Sequence, residues 1–294
     1  MKEDNPVSVY IYIMVAVILW GVSFVWTNSL LEQNVPILTF TFARMAIAGT
    51  FLTLISILMG KLQKISRKDL KWFILLACCE PFVYFLGETY GLQATGSPAL
   101  SSVIIATIPV FTLIAGELFY REKISKWNMV GIFLTIPGIF LMAYRPDGFS
   151  AKYSWGIILL FVAVFSATGY ASVVRKLTDK YNDYTITTVQ FLLGALYFLP
   201  LVLIFDGDKF STELIKWEII SPICSLAILC SATCFLLYVR TIRSLGITKT
   251  AIFTSMIPAF SALSSYLAGY DTFTILQILG IGIVVAGVIL TQKP

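Results

Sequence analysis

The chain has no histidine among its 294 residues. That absence removes His-based proton relays, Ser–His proteolysis within a membrane and zinc chemistry of the HExxH kind. Charge is scarce too. Only 13% of residues are Asp, Glu, Lys or Arg, against about 25% in a soluble domain. There is no GxxxxGK[ST] loop, and no hydrophilic stretch long enough to house a nucleotide-binding domain, which speaks against ATP-driven pumping by this chain alone. Cys78, Cys79, Cys224, Cys230 and Cys234 lie in apolar runs, without CxxC spacing, and read as packing residues. No cleavable signal is evident: the apolar run after MKEDNP is longer than a signal core and ends without a small-residue cleavage site. The expectation is a chain with no enzymatic activity, no cofactor and no metal.

What is present is apolar surface. Hydrophobic residues make up 58% of the chain, with a mean hydropathy of +0.86, above the 45–50% or so of a soluble domain. At about 20 residues per crossing, ten helices are expected, at 7–31, 37–59, 72–92, 99–119, 127–144, 154–176, 184–205, 217–240, 248–269 and 272–291. With the N-terminus inside, sixteen of the 21 Lys and Arg fall in cytoplasmic segments. Four, Arg145, Lys152, Lys209 and Lys216, fall outside, and Arg44 lies within span two. This excess predicts both termini in the cytoplasm, and the brevity of the loops and tails fits a prokaryotic plasma (inner) membrane. The charge of +5 is spread over loops, which suits orientation in a bilayer and gives no sign of nucleic-acid binding.

The two halves echo one another. Ile108-Pro109-Val110-Phe111 recurs as Ile257-Pro258-Ala259-Phe260, 149 positions later. At the same offset Glu122 meets Asp271, Gly131 meets Gly280 and Gly138 meets Gly287. Trp20-Gly21 finds an echo in Trp155-Gly156 at an offset of 135, which predicts residues gained in the second half, with 206–216 a candidate place. Five spans per half is an odd number, so the second half enters the membrane from the opposite side. The fold class expected is an all-α membrane protein, ten transmembrane helices as two inverted five-helix repeats, 1–145 and 146–294. Secondary transporters use this architecture for alternating access.

Taken together, these residues resemble the EamA-type branch of the drug/metabolite transporter superfamily. The resemblance rests on Trp20-Gly21, Phe42-Ala43-Arg44, Tyr90-Gly91-Leu92 running into 97–102, Pro109, Glu122 and Gly131/Gly138, then on Pro258, Asp271, Gly280 and Gly287. It covers essentially the whole chain, and Asp271 stands where such sequences more often carry Glu. It implies a ten-helix carrier that exports small metabolites, amino acids or drugs. Glu80 and Glu88 are not general features of such sequences.

Those two acids are the residues that most need an explanation. The segment 79–93, CEPFVYFLGETYGLQ, lies in an apolar run, yet at 100° per residue Glu80, Tyr84, Glu88 and Gly91 share one arc, with Gly87 beside them. A carboxylate at mid-bilayer costs about 2.5–3.5 kcal/mol or more, so the stripe must face protein or water. It reads either as a substrate or ion path or as an ion pair buried between helices. Pro81 can kink the helix beside Glu80. Arg44 and Glu88 lie at comparable depth, and a direct pair between them is expected; the other reading is Arg44 snorkelling to outer headgroups. Glu80 then lacks a partner and is a candidate for exchanging a proton with an amine. Glu117 reads as interfacial, and Glu122 and Asp271 as caps of the last span of each half.

Other spans supply a lining. Trp20, Ser23, Phe24 and Thr27 share a face of span one, while Ser166, Tyr170 and Tyr238 face inward from spans six and eight. Thr250, Thr254, Ser261 and Ser265 form a stripe with Pro258 that serves either close helix packing or a cavity wall. Aromatic and hydroxyl groups suit an amphipathic organic solute better than a bare ion. The candidate binding or coupling set is therefore Glu80, Tyr84, Glu88, Arg44, Trp20, Thr27, Tyr170, Tyr238, Thr254 and Ser261. The partners expected are a small-molecule substrate, the bilayer and protons, with a monomer sufficient. A lipid scramblase or flippase, and a non-transporting scaffold or receptor, are the alternatives: the first predicts a groove open to lipid, the second packed stripes without a cavity.

Overall fold

The computed structural model describes residues 6–120, 125–143, 150–209 and 215–291. Glu122 and the boundary between residues 145 and 146 lie outside them, as does the side chain of Glu117. The described chain is all-helical. The helices are α1 (Pro6–Glu32), α2 (Ile37–Leu58), α3 (Leu70–Ala77), α4 (Tyr84–Thr95), α5 (Pro98–Ile105), α6 (Ile108–Tyr120), α7 (Lys126–Ala143), α8 (Ala151–Thr178), α9 (Asp183–Phe205), α10 (Trp217–Ser225), α11 (Cys234–Thr254), α12 (Ile257–Leu267) and α13 (Ile275–Leu290). A wide π-helical turn, Cys78–Val83, joins α3 to α4, and another, Leu226–Thr233, joins α10 to α11. Among the described residues, seven helical stretches are long and apolar enough to cross a membrane. Three shorter apolar ones, Pro98–Ile114, Ile257–Leu267 and Ile275–Leu290, fall where the remaining spans are expected.

The breaks have local causes. Pro81 has no N–H to donate and its ring crowds the preceding turn. Glu80 beside it is extended (φ −143°, ψ 117°) inside an otherwise helical run. Ala106–Thr107 and Ser255–Met256 interrupt the helix just before Pro109 and Pro258, 149 positions apart. Gly96, at φ +65°, ends α4 in the left-handed conformation that glycine adopts without cost. Ser97 then caps α5 and Pro98 opens its first turn.

Apolar side chains face outward and polar ones inward. Phe133, Phe140, Trp155, Leu203 and Ile204 are all more than half exposed, whereas Ser56, Thr185, Thr187, Gln190, Ser231 and Ser265 are fully buried. Without a hydrophobic force between helices in lipid, close packing and hydrogen bonds hold the bundle. Thus α2 packs on α9, where Ser56 and Thr188 share a 3.1 Å bond. The α4 helix packs on α8, and α1 packs on both α11 and α12. The α7–α13 pair packs glycine against glycine: a Cβ on Gly131 would lie 2.5 Å from the Gly287 carbonyl oxygen, and one on Gly138 2.7 Å from the Val284 side chain and 3.0 Å from the Gly280 carbonyl oxygen.

Two expectations change. Helices α1 and α8 begin 145 positions apart, so Trp155 stands in the first turns of α8 while Trp20 is at the middle of α1. The Trp20/Trp155 echo is therefore no structural correspondence, and the connections before α3 and α10, 59–69 and 206–216, are equally long. Asp271 does not cap the last helix, whose N-cap is Thr274 in a capping box with Gln277. Its carboxylate instead accepts from Ser97 Oγ (2.7 Å), Ala99 N (3.1 Å) and Ser265 Oγ (2.6 Å), closing the N-terminus of α5.

At the opposite end, Asp69 accepts from Lys180 Nζ (3.1 Å) and Tyr181 OH (2.9 Å), tying the connection before α3 to that after α8. The bond from Lys180, then that from Tyr181, holds this carboxyl below its ordinary value of 3.8. Such a group stabilises the fold above the ordinary value, and its contribution is lost as pH falls through the lowered one. Asp69→Asn should lower the unfolding midpoint in detergent at pH 7, and the difference from the parent should vanish as the pH falls through the lowered value. Gly131→Val should cost about 1–3 kcal/mol or more by overpacking, read as a lower unfolding midpoint and less monodisperse protein. Gly282→Val on the open face of α13, where nothing lies within 4 Å, is the neutral control.

Candidate functional site: an acidic aromatic cavity at the helix breaks

The two π-helical turns release carbonyl groups that cannot be left bare in hydrocarbon. Ser166 Oγ of α8 donates to the Cys79 carbonyl at 2.7 Å, and Trp20 Nε1 of α1 donates to the Cys230 carbonyl at 3.0 Å. Ser166 thus serves the backbone and does not line the cavity. Gly194 of α9 lies against the Pro81 ring, where no larger residue fits without displacement.

Between the two broken segments is a cavity of about 90 Å³. It is smaller than the roughly 150 Å³ cavity that admits benzene, so anything larger than a head group must part its walls. Trp20, Ser23, Phe24, Arg44, Glu80, Tyr84, Phe85, Glu88, Pro109, Tyr170, Phe235, Tyr238 and Thr254 are among its lining residues. Eight of the ten candidate residues therefore meet there. Thr27 is buried in α1 outside the lining, and Ser261 donates to the Pro98 carbonyl (3.2 Å), joining α12 to α5. Gly87 and Gly91 leave the acidic stripe: both pack on α8, against Leu159–Ala163 and Gly156–Leu160. The wide turn and the 100° step of the helix put the acids on one side of α4 and the glycines on another.

Arg44 is 3% exposed and commits its Nε to Ser231 Oγ at 2.7 Å, in the second π-helical turn. Its guanidinium lies 4.1 Å from the centre of the Phe85 ring, a cation–π contact. The direct Arg44–Glu88 ion pair is not formed among the described residues. The two groups share the cavity and interact across it. Snorkelling to headgroups is overturned by the burial of Arg44. Glu88 accepts from Tyr84 OH at 3.3 Å. Glu80 is 7% exposed, and no hydrogen bond to its carboxyl occurs among the described residues. Tyr170 OH donates to Gln190 Oε1 (3.2 Å), and Trp20 stacks edge-on against Phe235 and Tyr238 with ring centres 5.4 and 5.2 Å away. Ser231, Gln190, Phe85 and Phe235 went unnoticed as sequence; for Ser231 and Gln190 a polar residue in an apolar run was the available signal. Among the described residues no cluster of His, Cys, Asp or Glu could hold a metal ion.

The model of the EamA-like transporter family matches residues 7–144 and again 154–292. The chain belongs to this family. It is a multi-pass membrane transporter and not an enzyme. A protein of Archaeoglobus fulgidus named as an uncharacterized transporter is 27% identical over 288 residues, 97% of this chain and 98% of its own. The uncharacterized transporter YetK of Bacillus subtilis is 23% identical, over 98% of this chain and 87% of its own. A solved crystal structure superposes with a TM-score of 0.73 at 15% identity, covering 97% of this chain and 96% of the other, a likeness of fold.

Removing a donor that satisfies a released carbonyl should cost about 1–3 kcal/mol, the price of a buried unpaired group. Ser166→Ala is expected to show this as a lower unfolding midpoint in detergent, while Ser172→Ala, further along α8 and bonded only within it, changes little.

Proposed function

We propose that this family member is a secondary active carrier that exports small amphipathic metabolites, amino acids or related compounds, or drugs, by alternating access. The cavity carries the reading. It is aromatic and acidic, and it lies where helices from both family-matched segments break. The proposed architecture is ten spans in two inverted repeats, 1–145 and 146–294. It is supported by the paired breaks before Pro109 and Pro258 and by the crossed contacts Gly131–Gly287 and Gly138–Gly280. Exchanging Gly131 with Gly280 and Gly138 with Gly287 turns one of these contacts into the other, as a two-fold relation requires. Trp20 and Ser166 add support: they sit 146 positions apart and do the same work for opposite π-helical turns. Halves related in this way can rock about a shared site and present it to either side.

Orientation follows from charge. The surplus of Lys and Arg on the side of the termini supports a plasma (inner) membrane protein with both ends cytoplasmic. Tyr84, Tyr170, Tyr238 and Trp20 would hold an apolar body, with Thr254 at the break before α12. Glu80 and Glu88 would handle a proton or an amine, with Arg44 orienting Glu88. A larger and more open groove of about 540 Å³ between α4 and α8, lined by Val83, Leu86, Tyr90, Lys152, Trp155 and Leu159 among others, is mostly apolar and holds neither acid. The chemistry therefore favours a carrier over a scramblase.

The test is uptake into vesicles of purified protein, with a panel of labelled amino acids and the matching decarboxylated amines, with and without an imposed pH gradient. Saturable flux that follows the gradient, and falls at least tenfold in Glu80→Gln while insertion is preserved, is the expected result. Absence of saturable flux across the panel would count against the carrier.

A further inference from the structure

We infer that the cavity selects an organic monocation, an ammonium compound with an apolar body and no carboxylate, and exchanges it for one proton at Glu80. The inference rests on the carrier reading and narrows it.

It begins with the charges. The ionisable groups facing Glu80 are Glu88 and Tyr84 on α4, Arg44 on α2, Tyr170 on α8 and Tyr238 on α11, with the Cys79 thiol beside it in the chain. Only Arg44 is a cation. Its electrostatic partners are Glu88, Tyr84 and the thiols of Cys230 and Cys234. Its Nε is held by Ser231, and Phe85 covers its plane. Arg44 and Glu88 thus balance one another at one end of the cavity, with Tyr84 donating to the acid. Glu80 is the acid left over: it feels Arg44 across the cavity, but less strongly than the like charge of Glu88, and neither an ion pair nor a hydrogen bond reaches it among the described residues.

A buried carboxylate without a partner must take one up or become neutral. Two single charges can do this, a proton or a monocation, and they compete for the same carboxylate. Binding the cation releases the proton from Glu80 to water, and the returning proton displaces the cation. One positive charge moves each way, so the cycle is electroneutral and draws on the pH gradient alone.

The walls select the rest of the solute. Tyr170 and Tyr238 interact electrostatically with Glu80, and Trp20, Tyr238 and Phe235 stand edge-on in one cluster. Aromatic faces attract a desolvated ammonium and offer nothing to a carboxylate. A zwitterion brings no net charge. It leaves the surplus negative charge in place, and its carboxylate can find a cation only by drawing Arg44 away from Glu88 and Ser231. Dismantling a buried pair in that way is unfavourable.

The discriminating probes are labelled N,N,N-trimethylphenethylammonium and the betaine of phenylalanine, which differ by one carboxylate. Both carry a permanent positive charge on nitrogen and neither crosses a bilayer as a neutral amine. In vesicles of the full chain, the monocation should move at least tenfold faster than the betaine. Its flux should follow the pH gradient, be unchanged by an imposed potassium–valinomycin potential, and release one proton per molecule. Glu80→Gln should abolish the proton release, and Glu80→Asp, which keeps the charge, should retain the preference for the monocation. Equal flux of the two probes, preference for the betaine, or flux that responds to potential overturns the inference and leaves a carrier of other specificity. Saturable flux of neither probe, with saturable flux of amino acids, likewise overturns it; absence of all saturable flux overturns the carrier reading as well.

Discussion

A backbone carbonyl released in mid-helix has no water to turn to in hydrocarbon, and that constraint organises the centre of this protein. Helices cross lipid because they satisfy themselves. Two of these helices do not, at Cys78–Val83 and Leu226–Thr233, and each borrows a donor from a neighbour. The loans come from α8 and α1, so they also fix those helices against the broken ones. With the backbone satisfied, the breaks become places where side chains of opposite chemistry can face a shared space. Arg44 is bonded to one π-helical turn through Ser231, and Glu80 grows from the other.

The periphery obeys a simpler rule. Apolar side chains point to lipid, and small or hydroxyl residues mark where helices touch. The α7–α13 pair takes this to its limit, glycine against glycine with no room for a methyl group. Carboxylates at the helix ends, Asp69 on one side and Asp271 on the other, fasten connections that belong to different family-matched segments.

Much of this was legible in the chain. Hydropathy located the helical stretches to within a few residues, since in lipid a long apolar run has little alternative to a helix. The two acids among apolar residues pointed to the cavity that they line, because such residues are too costly to carry without a role or a partner. Pro81, Pro109 and Pro258 announced the breaks through the missing N–H. The Trp20/Trp155 match misled because two residues can coincide without structural meaning, and helix starts were a better ruler. Gly87 and Gly91 misled because a helical arc 100° or more wide does not say where a cavity wall ends and a packing face begins.

The sequence by itself determined that this is a polytopic helical protein, which residues are too polar for lipid, and that its helices bend at Pro81, Pro109 and Pro258. These follow from solvation and covalent structure, which are local. The tertiary structure decided that Arg44 turns to Ser231 and Phe85, that Ser166 tends a carbonyl and not the cavity, and that Asp271 closes α5 and not the helix it precedes. Each of those choices is a competition among partners remote in the chain, 87 positions apart for Ser166 and Cys79 and 187 for Arg44 and Ser231. Hydrogen-bond reach is about 3 Å, and no pattern along a chain measures distances that small between its remote parts.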